Sequence, residues 1–394
     1  MRSVCLGLLF TLGITAAWTQ SEGALENPGV FVGTYTGGKS QGIYACRFDN
    51  KTGELQHANV TTGVVNPSFL AVAPNKKFLY SVNETSQFEG KPGGSVCAFA
   101  IDPKTLALNF LNQQPTRGGA PCYVSVDQNS QWLLFANYSG GSAGVFPLSQ
   151  EGRIQEISSF IQHEGASVNP ARQKGPHAHS IVPSPDNRFA FVADLGLDKL
   201  MIYRFLEGNL TPNETPFLEV QPGAGPRHFT FHPNGKFAFL INEIDSTILS
   251  LSYDPSRGAF QIVQTVPALP ADFQGDSTCA DIHVHPSGKF LYGSNRGHDS
   301  IVVYRIGSDG KLAFVEHEST QGKTPRNFAI DPTGAFLLAA NQNSDSIVSF
   351  HIDSQTGKLA PAGFKVEVPN PVCLKFYPSI WELDEQKKRE SSLR

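Results

Sequence analysis

The sequence has little excess charge of either sign and no closely spaced cysteines. Its 31 basic and 35 acidic residues give a formal charge of −4 over 394 residues. This balance gives no reason to expect a nucleic acid as partner, so any anion-binding site must be local. The six cysteines lack the close spacing typical of zinc sites. We therefore predict no metal from them.

The longest apolar run, at the N-terminus, is too short to cross a membrane. Residues 1–19 contain Arg2 and then an apolar stretch from Val4 to Ala17, whereas a spanning helix needs roughly 20 apolar residues. The pattern is typical of a signal peptide. We predict a secreted or periplasmic protein that has no membrane contact after cleavage. Residues 28–380 then form the folded domain, and residues 381–394 a charged C-terminal tail.

The remaining composition favours an all-β fold. The chain is 40% hydrophobic and 17% charged, which is enough to bury a large core. Its 37 glycines and 27 prolines are spread along the length, as many short strands joined by tight turns require. Loss of Cys5 with the signal peptide leaves five cysteines. We expect these to be mostly buried, with room for one disulfide that the sequence does not assign.

One unit recurs along the chain and predicts its architecture. The unit is a Pro, an alternating apolar strand, a Pro/Gly/Asn turn, a second apolar strand and a terminal Asn or Asp. The complete copies are PSFLAVAPNKKFLYSVNE from Pro67, PCYVSVDQNSQWLLFANY from Pro121, PHAHSIVPSPDNRFAFVAD from Pro176, PRHFTFHPNGKFAFLINE from Pro226, ADIHVHPSGKFLYGSNR from Ala280 and PRNFAIDPTGAFLLAANQ from Pro325. A strand pair follows each copy, so four strands recur at about the period of a propeller blade.

A seventh copy, PVCLKFYP from Pro371, stops after its first strand. The start of the chain, VFVGTYTGGKSQGIYACRFD, matches the second half of the unit. We therefore predict a seven-bladed β-propeller in which the N-terminal strand joins the last blade. Such closure hides the edge strands that an open array would expose.

Each hairpin should bring the first and last residues of its unit to one rim. Antiparallel pairing places Arg227 opposite Glu243, His179 opposite Asp194 and Asp281 opposite Arg296. Because the blades surround one channel, residues from three units should converge at its mouth. The residues expected there as the main site are His179, Arg227, Glu243 and Arg296.

Structural roles compete with functional ones at several of these positions. The terminal Asn or Asp recurs in too many units to be catalytic everywhere, and is expected to bond backbone at loop starts. Glu243 could simply neutralise Arg227, and His177 and His179 could be histidines of the rim. Asp281 and His283 alternate with His285 along one strand and so share a face, which leaves a His-rich metal site as a less favoured alternative.

At these residues the sequence resembles the propeller-type lactonase family, which includes bacterial 6-phosphogluconolactonases and fungal carboxy-cis,cis-muconate cyclases. The resemblance runs from GTYTGG at Gly33 to the last repeat, and GPRHFTFHPNGKFAFLINE is its most specific stretch. It implies a seven-bladed propeller that needs no metal or organic cofactor. The one His, two Arg and one Glu of the family's active site match His179 in PHAHS, Arg227 in GPRH, Glu243 in INE and Arg296 in SNRG.

These residue types suit lactone hydrolysis. His179 would act as general base or acid, since imidazole titrates near neutral pH. The arginines would grip a phosphate or carboxylate, and Glu243 would orient Arg227 or assist proton transfer. Further candidate substrate contacts are His177, Asp194, Asp281, His283 and Arg326. The partner expected is a small lactone or carboxylate.

Phosphorylated gluconolactone is a cytosolic metabolite. The predicted export therefore favours another lactone as substrate, such as an unphosphorylated sugar-acid lactone. Two other functions stay open at this stage. One is cyclisation of a carboxymuconate by the same residues, with an acid protonating the alkene carbon. The other is a non-catalytic propeller that binds a ligand or protein, because fold alone does not fix function. The joint presence of His179 and Glu243 favours an enzyme.

Overall fold

A computed structural model describes residues 27–380, 382, 383 and 385 of the chain. Strands from Gly29 to Tyr377 form seven four-stranded antiparallel sheets. The first strands of successive sheets contact one another in a ring that closes on itself. The protein is an all-β, seven-bladed β-propeller. The predicted signal peptide, residues 1–19, and nearly all of the predicted tail, 381–394, lie outside the described residues.

The blades are numbered here by their repeat unit, and their strands run from the channel outwards. Blades 1 to 3 contain Leu70–Val72, Phe78–Asn83, Ser95–Ile101 and Leu108–Pro115; Pro121–Val126, Trp132–Asn137, Ser142–Pro147 and Ser159–Gln162; and Ala178–Pro183, Phe189–Asp194, Lys199–Leu206 and Asn209–Glu219. Blades 4 to 6 contain Pro226–Phe231, Phe237–Asn242, Thr247–Asp254 and Ala259–Pro267; Thr278–Val284, Phe290–Arg296, Ser300–Ile306 and Leu312–Ser319; and Pro325–Ile330, Phe336–Asn341, Ser346–Ile352 and Leu359–Glu367. A short ribbon, Gln87–Phe88 with Lys91–Pro92, and a 3-10 turn, Gln342–Ser344, complete the elements.

Blade 7 joins the two ends of the folded chain. Its strands are Pro371–Tyr377, Gly29–Thr34, Gly42–Phe48 and Leu55–Thr62. The N-terminal strand pairs with the last strand from Gly29 opposite Tyr377 to Thr34 opposite Pro371. The predicted closure is therefore confirmed.

The hydrophobic core is divided among the spaces between neighbouring blades. Apolar clusters join blades 2 and 3, 3 and 4, 4 and 5, 5 and 6, and 6 and 7, and a larger one joins 7, 1 and 2. Full burial of each large apolar side chain contributes about 1.5–3 kcal/mol. The stability is thus shared around the ring, which leaves the residues at the channel free to be polar.

A glycine in the outer hairpin allows six of the seven blades to pack closely on the preceding blade. Gly258 of blade 4 has a φ of +63° in its turn, and the ring of Phe189 in blade 3 lies where a side chain would be. 

A Cβ atom at Gly258 would lie 2.4 Å from the ring of Phe189. Five other blade pairs repeat this contact, so only glycine suits the position sterically and conformationally.

Among the described residues, no helix is long and apolar enough to span a membrane. The five cysteines in this part of the chain, Cys46, Cys97, Cys122, Cys279 and Cys373, are all buried and free. The expectation of buried apolar cysteines is confirmed, and none of these five forms the disulfide for which the sequence left room.

Candidate active site

A β-bulge at the start of the innermost strands supplies the residues of the channel mouth. In blade 4, Pro226 pairs with Asn242 and His228 with Ile241, so Arg227 is left without a partner in the register. Bulges of this kind re-aim a side chain and often lie next to active sites. The corresponding unpaired residues of blades 2, 3 and 6 are Cys122, His179 and Arg326. All four line one narrow cleft at the mouth.

The loop before Arg227 is fixed by a glycine and a buried carboxylate. Gly225 has a φ of +68°, and a Cβ atom there would lie 2.7 Å from the side chain of Ile244. The carboxylate of Asp198 accepts hydrogen bonds from the backbone amides of Gly223 at 2.6 Å and Gly225 at 2.7 Å. These contacts fix the backbone of the loop that leads from Gly225 into the strand of Arg227.

Glu243 lies at the centre of three arginines. Its Oε2 atom is 2.8 Å from Nε of Arg227 and 2.9 Å from Nη2 of Arg296, and its Oε1 atom is 2.5 Å from Nη2 of Arg172. Burial alone would raise the pKa of Glu243, but the charges of Arg296 and Arg227 outweigh it and hold the pKa well below its usual value. The carboxylate is thus ionised and serves as a counterion. We call these four residues the Glu243 side.

Arg227 is almost completely buried, with 2% of its surface exposed. Its Nη1 atom donates to the carbonyl of Ala280 and to Nε2 of His228, which is 3.2 Å away. Because arginine only donates, His228 must accept at Nε2 and carry its hydrogen on Nδ1, which lies 2.7 Å from Oδ1 of Asp281. Burial lowers the pKa of His228 to about 4, so this ring is neutral and positions the guanidinium.

His179 lies in the same cleft and is also neutral at pH 7. Its ring meets those of Tyr138 and His228 edge to face, with centroids 5.3 and 5.4 Å apart, and its Nδ1 atom is 3.7 Å from Sγ of Cys122. Burial and the charge of Arg227 lower its pKa well below the usual value. Burial raises the pKa of the Cys122 thiol, so this residue is not a thiolate nucleophile. The cleft therefore contains an unprotonated imidazole.

A second polar group lines the opposite wall of the cleft. Nη2 of Arg326 donates to the hydroxyl of Tyr35 at 3.0 Å, and that hydroxyl donates to Oε2 of Glu84 at 2.9 Å. The hydroxyl of Ser68 donates to the same Oε2 at 2.5 Å. We call these four residues the Glu84 side. The mouth thus has two walls, each built around one glutamate; all four residues of the Glu84 side line the cleft, and Arg227 lines it from the Glu243 side.

Three rings form the floor of the cleft. Phe69 and Tyr123 stack with centroids 4.1 Å apart, and His228 meets both edge to face. Phe69 and His228 line both the mouth cleft and a separate cavity deeper in the channel. The floor therefore separates the cleft from that cavity.

Comparison with known proteins agrees with this architecture. The family described as "Lactonase, 7-bladed beta-propeller" matches residues 29–376. The chain belongs to this lactonase family. It is 40% identical over 351 residues to the 6-phosphogluconolactonase of Bacillus subtilis, an alignment covering 89% of this chain and 98% of the relative.

Two further members of the lactonase family are similar over most of their length. The 6-phosphogluconolactonase of Formosa agariphila is 39% identical over 84% of this chain and 94% of its own. The solved structure of the periplasmic gluconolactonase PpgL of Pseudomonas aeruginosa has a TM-score of 0.85 and 35% identity, covering 89% of this chain and 99% of that one.

Two predicted contacts of this lactonase-family chain, His177 and Asp194, lie at the rim. The His177 ring stacks on Tyr138 with centroids 4.5 Å apart, and its Nδ1 atom is 2.9 Å from the carbonyl oxygen of Tyr138. Asp194 is fully buried; it accepts from three backbone amides and lies 2.5 Å from Nδ1 of His163. We therefore do not carry Asp194 into the proposed site, because its carboxylate has no surface for a substrate.

Asp281 and His283 lie below the floor, in the channel cavity. Oδ2 of Asp281 accepts from Nδ2 of Asn327 at 2.5 Å and is 2.9 Å from Nε2 of His283. Burial would raise the pKa of Asp281, but His283 and His228 hold it well below its usual value. Asp281 therefore acts on the cleft only through His228.

The predicted registers of blades 3, 4 and 5 are wrong. Ala178 pairs with Asp194 and Pro226 with Asn242, so His179 and Arg227 lie in bulges without partners in the register.

In blade 5 the predicted pair is also absent. Arg296 pairs with Thr278 and not with Asp281. A bulge between Cys279 and Ile282 adds one residue to the inner strand and so accounts for one residue of this three-residue shift. Arg296 still reaches the mouth, where it contacts Glu243.

The alternative metal site does not assemble from its three residues. His285 bonds to the carbonyl of Gly334 at 2.8 Å and to the hydroxyl of Ser287, whereas His283 bonds to Asp281. Within the described part of the chain, no group of three or more His, Cys, Asp or Glu side chains is arranged to hold a metal ion.

Three of the recurring terminal asparagines bond backbone, as expected, whereas Asn83 and Asn242 bond to the side chains of Cys97 and Thr247. Nδ2 of Asn137, Asn295 and Asn341 each donates to a backbone carbonyl, at 3.1, 2.8 and 3.0 Å. These bonds fix the loops around the mouth.

Several residues of the site were missed from the sequence. Glu84 follows a terminal Asn as Glu243 does, so the repeat itself could have indicated it. Tyr35 could have been found from the GTYT segment of the closing strand. Arg172 belongs to a loop outside the repeat, and no signal in the sequence points to it.

Proposed function

We propose that this protein hydrolyses a sugar-acid lactone, in the manner of a 6-phosphogluconolactonase, at the mouth cleft of the propeller. The observation that carries the proposal is a neutral imidazole, His179, in one cleft with the guanidinium groups of Arg227 and Arg326. An unprotonated base beside fixed positive charge is what ester hydrolysis requires.

The first step is attack by water on the lactone carbonyl. His179 accepts a proton from the water as its oxygen bonds to the carbonyl carbon. Among the described residues, Nε2 of His179 has no hydrogen-bond partner and is therefore the nitrogen available for this transfer. The charge on the carbonyl oxygen is stabilised by an arginine, and Nη2 of Arg227 is similarly unoccupied in that part of the chain.

The second step opens the ring. The carbonyl re-forms, the ring C–O bond breaks, and the leaving oxygen takes the proton from His179, giving a hydroxy acid. Glu243 holds Arg227 and Arg296 in place throughout, because both of its oxygens are already bound by arginines. We assign it an orienting role in preference to proton transfer.

Relatives support the substrate class and the place of action. Two are named 6-phosphogluconolactonase, and the solved relative is a periplasmic gluconolactonase. Together with the N-terminal pattern of residues 1–19, this supports an exported enzyme acting on an unphosphorylated sugar-acid lactone. We propose that it needs no metal or organic cofactor.

The test is hydrolysis of gluconolactone and 6-phosphogluconolactone by the purified protein, with and without a chelator. We expect turnover that the chelator does not reduce, and a loss of about 10²–10⁴-fold in His179→Ala. His351→Ala, which changes an exposed histidine of blade 6, is the matched control and should retain activity.

Three results would count against the proposal. Equal turnover by His179→Ala would dismiss the site, and loss with the chelator would dismiss metal independence. Absence of lactone hydrolysis, with either cyclisation of a carboxymuconate or ligand binding alone, would favour the other functions. Export is tested separately, by sequencing the N-terminus of the mature protein from cells that express the full chain.

A further inference from the structure

Glu84 is the repeat counterpart of Glu243 on the opposite wall. Each follows a terminal asparagine, Asn83 or Asn242. The backbone amide of Glu84 donates to the carbonyl of Asn66 at 3.0 Å, and that of Glu243 to the carbonyl of Gly225 at 2.7 Å. In both cases the acceptor precedes the proline that begins the unit, so the two carboxylates start from equivalent positions.

The two side chains differ in whether a carboxylate oxygen remains free to bind a ligand. Both oxygens of Glu243 are bound by arginines. Both hydrogen bonds to the Glu84 carboxylate go to Oε2, from Ser68 and Tyr35. Within the described residues Oε1 of Glu84 has no hydrogen-bond partner, and it is not among the buried unsatisfied atoms. A ligand in the cleft can therefore donate to it.

The two walls also differ in charge. The Glu243 side has three arginines and one carboxylate, whereas the Glu84 side has one arginine and one carboxylate. An anionic group of a ligand is drawn to the first wall. The second wall offers an acceptor for hydroxyl groups and repels a further carboxylate, because like charges in a cleft of low dielectric are unfavourable.

We propose that Glu84 determines specificity, by selecting a polyhydroxylated lactone with at most one acidic group over a lactone with several carboxylates. This inference rests on the proposed function, since it names the substrate class of the same cleft. Glu84 recognises the substrate hydroxyls and takes no part in proton transfer.

The test compares Glu84→Gln with the wild-type protein on two ligands of opposite character. One is gluconolactone, with its product gluconate; the other is a dicarboxylate lactone of the carboxymuconate type. The substitution keeps the shape and removes the charge. We expect kcat/KM for gluconolactone to fall about tenfold, and binding of the dicarboxylate, measured by calorimetry, to strengthen about tenfold.

The opposite directions separate recognition from structural damage, which would weaken both ligands. Asp245→Asn is the matched control, because it removes one negative charge from an exposed position near the same rim. It should change both values less than twofold. Parallel shifts in Glu84→Gln, or the same opposite shifts in Asp245→Asn, would overturn the inference.

The failure of this inference is distinguishable from that of the proposed function. If the wild-type protein hydrolyses no lactone, the proposed function fails, and calorimetry with gluconate and the dicarboxylate still tests the selectivity of Glu84. If the wild-type protein hydrolyses gluconolactone and Glu84→Gln keeps the same ratio between the ligands, only the inference fails.

Discussion

The two walls of the mouth use the same position of the repeat for different purposes. Glu243 is buried among three arginines and is saturated by them, whereas Glu84 is held by two hydroxyls through one oxygen. The repeat determines where a carboxylate lies. The neighbouring residues determine whether it serves as a counterion or as an acceptor for a ligand.

The largest difference is expected in stability. Glu243→Ala leaves the buried guanidinium groups of Arg227 and Arg296 without a counterion, so the free energy of unfolding should fall by about 3–5 kcal/mol. Glu84→Ala removes hydrogen bonds at a less buried site and should cost about 1–2 kcal/mol. Urea unfolding of the two variants measures this difference. Equal losses would mean that the walls are not organised as described.

The second difference concerns the arginines. Arg227 uses Nε for Glu243 and Nη1 for His228 and the carbonyl of Ala280, an arrangement that lysine cannot reproduce. Arg227→Lys should lower kcat/KM for gluconolactone about 100-fold. Among the described residues Arg326 makes a single hydrogen bond, to Tyr35, so Arg326→Lys should lower kcat/KM about tenfold or less. If Arg326→Lys lowered kcat/KM more than Arg227→Lys does, the more important arginine for catalysis would be Arg326, on the Glu84 side.

The pH dependence of kcat/KM tests the role of His179, which lies in the cleft between the two walls. Because the pKa of His179 is lowered in the folded protein, its base form persists as the pH falls below about 6.5, the usual histidine value. We expect kcat/KM to be flat from about pH 8 to pH 6 and to fall only in more acidic solution. The unfolded chain binds protons at histidines that stay neutral when folded, so stability should also fall below about pH 6.5. An activity midpoint at the usual histidine value would contradict the burial of the base.

The smallest effect is expected at the outermost arginine. The side chain of Arg172 is 36% exposed although it lies 2.5 Å from Glu243. Solvent screens such a pair, so Arg172→Ala should cost no more than about 1 kcal/mol in stability. Its effect on gluconolactone KM should be correspondingly small. A loss as large as that of Glu243→Ala would show that all three arginines act as one unit.

The ring and its closure could be predicted from the sequence because a repeated hairpin carries its pattern in alternating apolar residues and turns. The same hairpin brought Arg227 and Glu243 to one rim, where they form an ion pair, although the predicted strand register between them was wrong. The bulges could not be predicted from that pattern, since they lie at the start of the inner strands, before the apolar alternation. The bulge of blade 5 is one part of the reason that Thr278, and not Asp281, pairs with Arg296.

The rest of the site depends on contacts between distant segments. Arg172 reaches Glu243 from a loop that has no counterpart in other units, and Tyr35 comes from the closing strand. His228 acquires its role only through Asp281 in the next blade. Such contacts depend on the assembled ring, so no local pattern predicts them.

The most direct test of the account is a crystal structure of the protein with gluconate bound. The account predicts the carboxylate of gluconate beside His179 and Arg227, and its hydroxyl groups within hydrogen-bond distance of Glu84. Gluconate bound in the channel cavity below the aromatic floor, or outside the propeller mouth, would contradict it.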